Sequence, residues 1–239
     1  MRTIPQNPAD RLIVALDVPD VDAALAMVKR LDGAASFFKV GMWLLYAPGV
    51  ERLLDSLINS GKRVFLDAKM YDIPETVAHG VAAAAKRGIT FATIHGDPGI
   101  IAAAVQARAG SSLQLMAVTV LTSLDDAALS RMGYSRTAAQ LVAQRAREAA
   151  ELGCDGIISS AADNPNELRR LAGSDDLLIV TPGIRPAGAS ADDQKRIATP
   201  GNAIRNGADY LVVGRPIIAA PDPAAAARAI VAEMAAAIA

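Results

Sequence analysis

Cysteine is nearly absent. Cys154 is the sole thiol among 239 residues, so no internal disulfide can form. That usage points to a reducing compartment, which for this chain means the cytoplasm. The cysteine lies in Glu151-Leu152-Gly153-Cys154-Asp155-Gly156, between a helical pattern and an apolar run, and reads as inert packing. Aromatic residues make up only 4% against an apolar share of 52%, so Ala, Val, Leu and Ile are expected to fill the core. Excess charge of either sign is also missing. The 24 Lys+Arg and 25 Asp+Glu leave a net charge of −1, which argues against nucleic-acid or membrane-surface partners but leaves room for a small phosphate ligand.

Long apolar runs are lacking too. Residues Pro223 to Ala239 are Ala-rich, but Arg228 and Glu233 interrupt them, and the stretch falls short of the roughly 18 apolar residues of a spanning helix. A terminal packing helix is the better reading. The N-terminus is polar, carries Pro5 and Pro8, and has no signal-like apolar core. Residues 1–10 therefore read as a mobile tail and residues 11–239 as one catalytic domain.

What the chain does contain is alternation. Eight apolar runs, Leu12–Leu16, Ser36–Val40, Val64–Leu66, Phe91–Ile94, Leu113–Val120, Gly156–Ile158, Leu177–Val180 and Tyr210–Val213, are separated by helical patterns. Pro19-Asp20 marks a helix start, and Gly61, Gly88, Gly153 and Gly207 stand where helices should end. Such alternation implies parallel strands with helical crossovers. The even count and the length predict a single (β/α)8 TIM barrel, with a doubly wound open sheet as the alternative. Two connections, Thr122–Arg136 and Gly183–Thr199, are long enough to be binding loops or lids.

In such a barrel, chemistry belongs at the C-terminal strand ends. Asp17, Lys39, the Asp67-Ala68-Lys69 element with Asp72, His95, Thr119 and Thr122, Pro182-Gly183-Ile184-Arg185 and Gly214-Arg215 all fall there. Asp67 and Lys69 are two apart and should share a face. Lys39 and Asp72 complete an interleaved set of cations and anions, a costly arrangement unless the charges pair. Gly183 and Gly214 allow close backbone approach to an oxyanion, and Arg185 and Arg215 add bidentate donors, so the last two strands read as a phosphate grip. His95 reads as a hydrogen-bonded wall residue, and His79, within a helix, has no assigned role. A metal needs converging carboxylates or histidines, whereas Lys39 fills that space with a cation.

These residues resemble the bacterial type of the orotidine 5′-monophosphate decarboxylase family. The resemblance runs in order through Ile13–Asp17, Phe38–Gly41, Phe65–Val77, Ala117–Ser123, Thr181–Arg185, Asp193-Gln194 and Val212–Arg215. Its specific core is Asp67-Ala68-Lys69-Met70-Tyr71-Asp72-Ile73-Pro74-Glu75-Thr76. Ala68, Tyr71 and Glu75 depart from the common pattern at uncharged or peripheral positions.

The resemblance implies decarboxylation of orotidine 5′-monophosphate to UMP, the last step of de novo pyrimidine synthesis, with no cofactor or metal. It implies Lys69, Asp67, Lys39 and Asp72 as catalytic residues, with Lys69 stabilising and protonating C6. It implies a homodimer in which Asp72, and with it Thr76, completes the partner subunit's site. Asp17 would contact ribose, Thr122 and Ser123 the pyrimidine, and Pro182 the wall. Arg185, Gln194, Gly214 and Arg215 would hold phosphate.

Two other readings stay open. Mg2+-dependent sugar-phosphate barrels resembling 3-keto-L-gulonate 6-phosphate decarboxylase or hexulose-phosphate synthase share Asp-x-Lys-x-x-Asp but place an acidic residue where Lys39 stands. A non-catalytic nucleotide-binding barrel would keep the phosphate grip and break the charged set.

Overall fold

The computed structural model describes residues 3–160, 163–186 and 198–238. The eight expected strands are β1 Leu12–Ala15, β2 Phe37–Gly41, β3 Arg63–Met70, β4 Phe91–His95, β5 Gln114–Val118, β6 Gly156–Ile158, β7 Leu178–Thr181 and β8 Tyr210–Val213. They form one closed barrel in sequence order, with β1 parallel to both β2 and β8. Strands such as β1 and β8 are buried at every position, because helices cover the outer face and the interior packs solid.

The major crossovers are α1 Val21–Arg30, α3 Val50–Asn59, α4 Pro74–Lys86, α5 Pro98–Ala107, α7 Ala138–Glu151, α8 Pro165–Ala172, α9 Pro200–Arg205 and α11 Pro223–Ile238. Their starts follow from side-chain caps: Asp20 accepts from Ala23 N at 2.8 Å, and Thr137 forms a capping box with Gln140. At the far end of α7, Gly153 adopts φ 78, which few other residues tolerate. Three short helices, α2 Met42–Leu45, α6 Asp126–Arg131 and α10 Arg215–Ile218, were not foreseen. They are too brief to show an apolar period, and α2 and α10 directly follow β2 and β8 at the mouth.

The core divides into two layers. Aliphatic side chains dominate the larger one, between strands and helices. The barrel interior differs from the all-aliphatic expectation: Phe37, Phe65, Phe91 and Tyr210 meet there beside Ile13, Met116 and Leu178. Phe37 and Phe91 lie edge-to-face at 5.0 Å, and Phe91 and Tyr210 at 5.1 Å. Such pairs add about 0.5–1.5 kcal/mol each beyond area burial. These four aromatics fill the lower barrel, below the level of Lys39 and Asp67.

At the lower end, Pro8–Arg11 forms a 3-10 helix capped by Asn7. Arg11 donates to the carbonyls of Asp209 (2.7 Å) and Ala208 (2.9 Å), and Arg63 reaches the Asp10 carbonyl at 2.5 Å while lying 4.5 Å over the Phe37 ring. Part of the segment expected as a tail therefore carries the hydrogen bonds of the barrel floor.

Cys154 is buried, directs its thiol at the Leu115 and Gly156 carbonyls, and has its pKa pushed up to about 12 by burial. That agrees with inert packing.

Candidate active site

Alternation within each strand carries the site upward from the aromatic layer. Lys39 stands two residues above Phe37, Asp67 two above Phe65, and Thr93 two above Phe91, so all three point inward. Lys39 lies between Phe38 and Val40, both fully buried on the helix side. Its ammonium sits 3.1 Å from Asp17 Oδ1 and 3.3 Å from Asp67 Oδ2. Lys69 Nζ donates to Asp67 Oδ1 at 2.8 Å. Asp67 thus joins two ammoniums, and the side chains of Lys39 and Asp67 are only 12% and 13% exposed.

Burial opposes both charges, yet pairing prevails. Desolvation would raise the Asp67 pKa, but the Lys39 and Lys69 ammoniums, with hydrogen bonds from Lys69 and Thr93, hold it below its ordinary 3.8. Desolvation would lower that of Lys39, and Asp67 and Asp17 hold it above 10.5. Asp67 and Lys39 therefore both carry their charges at neutral pH.

Two glycines make room for it. A Cβ at Gly41 would come within 2.9 Å of Lys39 Nζ, and one at Gly214 within 3.3 Å of Asp17 Oδ2. Gly214, predicted for phosphate, thereby borders the Asp17–Lys39 pair.

A cavity of about 150 Å³ opens above these charges. Lys39, Asp67 and Lys69 form its polar floor, while Phe65, Val118, Val120, Leu121, Ile158 and Val212 give apolar walls. Thr122 and Pro182 line it as expected. Ser159 also lines it and was not foreseen. It is buried and donates to Asp163 at 2.9 Å. Its only sequence signal was a hydroxyl at the end of β6.

Other expected residues stand apart from this cavity. Ser123 is exposed on the loop after β5. Asp72 does not join the charged cluster of its own chain. It is exposed, accepts from Ile73 N at 2.7 Å, and pairs with no cation among the described residues. Thr76, in the first turn of α4, is exposed as well. Arg185 is buried after β7, its backbone N–H bonded to Ala198, and Arg215 is exposed after β8. Gln194 and Asp193 lie outside the described residues.

Among the described residues the His95 ring makes none of the wall hydrogen bonds expected of it. Its ring packs 4.4 Å from that of Tyr71 and lines a neighbouring smaller cavity with Arg145. Burial and Arg145 lower its pKa.

The comparisons with known proteins concur with this geometry. The description "Orotidine 5'-phosphate decarboxylase / HUMPS family" matches residues 10–230. An orotidine 5'-phosphate decarboxylase from Afipia carboxidovorans is 55% identical over 98% of this chain and 99% of its own length. One from Methylobacterium radiotolerans is 53% identical over 96% and 98%. The crystal structure of orotidine 5'-phosphate decarboxylase from Lactobacillus acidophilus superposes with a TM-score of 0.82 at 38% identity, covering 94% of this chain and 99% of that one. With a matching barrel, a family description that spans residues 10–230 and relatives aligned over nearly their full lengths, the chain belongs to the orotidine 5'-phosphate decarboxylase / HUMPS family.

Proposed function

We propose that this chain is a carboxy-lyase that decarboxylates orotidine 5′-monophosphate to UMP, the closing step of pyrimidine nucleotide synthesis, in the cytoplasm and without metal or cofactor. The observation that carries the reading is the ammonium of Lys69, held 2.8 Å from Asp67 at the floor of a largely apolar cavity. Cleavage of the C6–carboxylate bond releases CO2 and leaves its electron pair on C6, where no resonance sink exists. An ammonium about 4 Å away, at an effective dielectric near 20, stabilises that charge by about 4 kcal/mol. Lys69 then delivers a proton to C6 and closes the balance. Asp67 aims it, and Lys39 holds the other oxygen of that carboxylate, so little reorganisation is needed during reaction.

Within the family, the position of Lys39 favours this reading over Mg2+-dependent sugar-phosphate chemistry. The space between the Asp17 and Asp67 carboxylates, where a divalent ion would bind, is taken by the Lys39 ammonium at 3.1 and 3.3 Å. Phosphate is assigned to Arg185, Gln194, Gly214 and Arg215, ribose to Asp17, and the pyrimidine edge to Thr122 and Ser123. A second copy of the chain is assigned the remaining charge: Asp72, with Thr76, reaches into the partner subunit's site. The exposure of Asp72 between exposed Tyr71 and Ile73 supports a homodimer that buries this segment.

The test is a direct assay with orotidine 5′-monophosphate in excess EDTA, following loss of the 6-carboxylate absorbance and appearance of UMP. Full activity is expected. Activity abolished by EDTA and restored by Mg2+ would transfer the chain to the metal-dependent class.

A further inference from the structure

Thr93 sits in the middle of β4, is fully buried, and does not line the cavity. Its hydroxyl nevertheless contacts both central residues of the site. Oγ1 accepts from the backbone N–H of Lys69 at 2.8 Å and lies 3.1 Å from Asp67 Oδ1. A hydroxyl has one proton to give. An ionised carboxylate can only accept, so that proton goes to Asp67.

The placement follows from a slip in the sheet. Between its pairings at Leu66–Ala92 and Met70–Ile94, β3 advances four residues while β4 advances two. Thr93 is the β4 residue opposite that bulge. Within it, Lys69 adopts φ 45, the left-handed region that residues bearing a Cβ rarely enter. In a regular strand Lys69 would stand about 6.6 Å beyond Asp67 along the strand axis. Across the bulge its ammonium lies 2.8 Å from the Asp67 carboxylate.

We infer that Thr93 is a positioning residue for the reaction: its single hydroxyl holds the left-handed Lys69 backbone and fixes the Asp67 carboxylate that aims the Lys69 ammonium. It touches no substrate and acts only through those two residues, so the inference rests on the catalytic reading of Lys69. Strained backbone at a reactive residue persists only when its surroundings over-determine it, and Thr93 supplies that constraint from the neighbouring strand.

The test compares Thr93→Val, which exchanges the hydroxyl for a methyl of similar size, with Thr93→Ser, which keeps it, and Thr93→Ala. Loss of a buried hydroxyl bonded to a carboxylate is expected to lower kcat roughly 10- to 100-fold in the Val and Ala variants. KM for orotidine 5′-monophosphate should stay within about threefold, because the ribose and phosphate contacts lie elsewhere. Thr93→Ser should recover kcat to within about threefold. The acid limb of the kcat/KM profile should move to higher pH in Val and Ala, since Asp67 loses one of the hydrogen bonds that favour its ionised form.

A purely structural role would lower thermal stability and leave the pH limb and the kcat of folded protein unchanged. That result overturns the proposal, as does a Ser variant no better than Ala. If Thr93→Val does not fold, the Ser–Ala pair decides alone. Lys69→Ala is assayed alongside. Near-normal turnover there removes the catalytic reading and this inference together, whereas an inactive Lys69→Ala with fully active Thr93→Val and Thr93→Ala removes the inference alone.

Discussion

Replacing Lys69 by alanine is the sharpest perturbation of this site. Its ammonium lies 2.8 Å from Asp67 Oδ1, and its side chain is 36% exposed. Truncation leaves Asp67 still paired to Lys39 at 3.3 Å and still accepting from Thr93 at 3.1 Å. No buried carboxylate is stranded, so stability should change by less than about 1 kcal/mol. Turnover should change far more. Loss of about 4 kcal/mol of selective transition-state stabilisation is about three decades in rate, and loss of a positioned proton donor removes about two more. The expected decrease in kcat is therefore on the order of 10⁵-fold. UMP carries no charge at C6, so its Kd should shift by less than about tenfold by the same electrostatic reasoning. The assay pairs steady-state loss of substrate absorbance with calorimetric titration of UMP and a thermal melt. Turnover within tenfold of the unaltered protein refutes the assignment. Loss of UMP binding together with kcat also refutes it, by showing that Lys69 assembles the site rather than acting on the carbanion.

Three further outcomes are expected. Gly41→Ala keeps an accessible backbone conformation, but its methyl would meet Lys39 Nζ at 2.9 Å. The flexible ammonium moves, thermal stability stays within about 1 kcal/mol, and kcat falls at least about tenfold; unchanged kcat would show that the position of Lys39 is unimportant. Arg215→Ala should raise KM for the nucleotide well above its effect on kcat, and unchanged values of both would remove Arg215 from the phosphate grip. Acid stability should trace Asp67. Its folded pKa lies below its ordinary 3.8, so its contribution is complete above that value and disappears as the pH falls through the depressed one. Asp67→Asn should cost about 3–5 kcal/mol at pH 7 in urea denaturation, with the gap to the unaltered protein shrinking below about pH 4; a pH-independent gap contradicts the pairing.

Much of this was written in the chain. Strands buried on both faces leave unbroken apolar runs such as Leu12–Ala15 and Tyr210–Val213, and the runs recur with helix-length spacing, so eight βα units could be read from the chain, while closure into a barrel in sequence order came from the structure. Charges that end such runs, at Asp17, Lys39 and Asp67, have only the barrel mouth to occupy. Short helices of four to six residues fell below the length at which periodicity is visible. The role of Arg11 and Asp10 at the barrel floor was hidden because it depends on carbonyls and side chains far along the chain.

Sequence by itself determined which residues alternate inward and which strand ends carry charge, because period two and chain order are local properties. Tertiary structure alone decided how those charges meet. The simple two-residue spacing of Asp67 and Lys69 does not describe a regular strand: the pairing with β4 shifts register between Leu66 and Met70, and the Lys69 N–H donates to the Thr93 hydroxyl. Likewise Asp72, three residues beyond that lysine, is exposed outside the cluster of its own barrel. Register slips and outward turns arise from pairings between distant segments, and no local pattern of side chains encodes them.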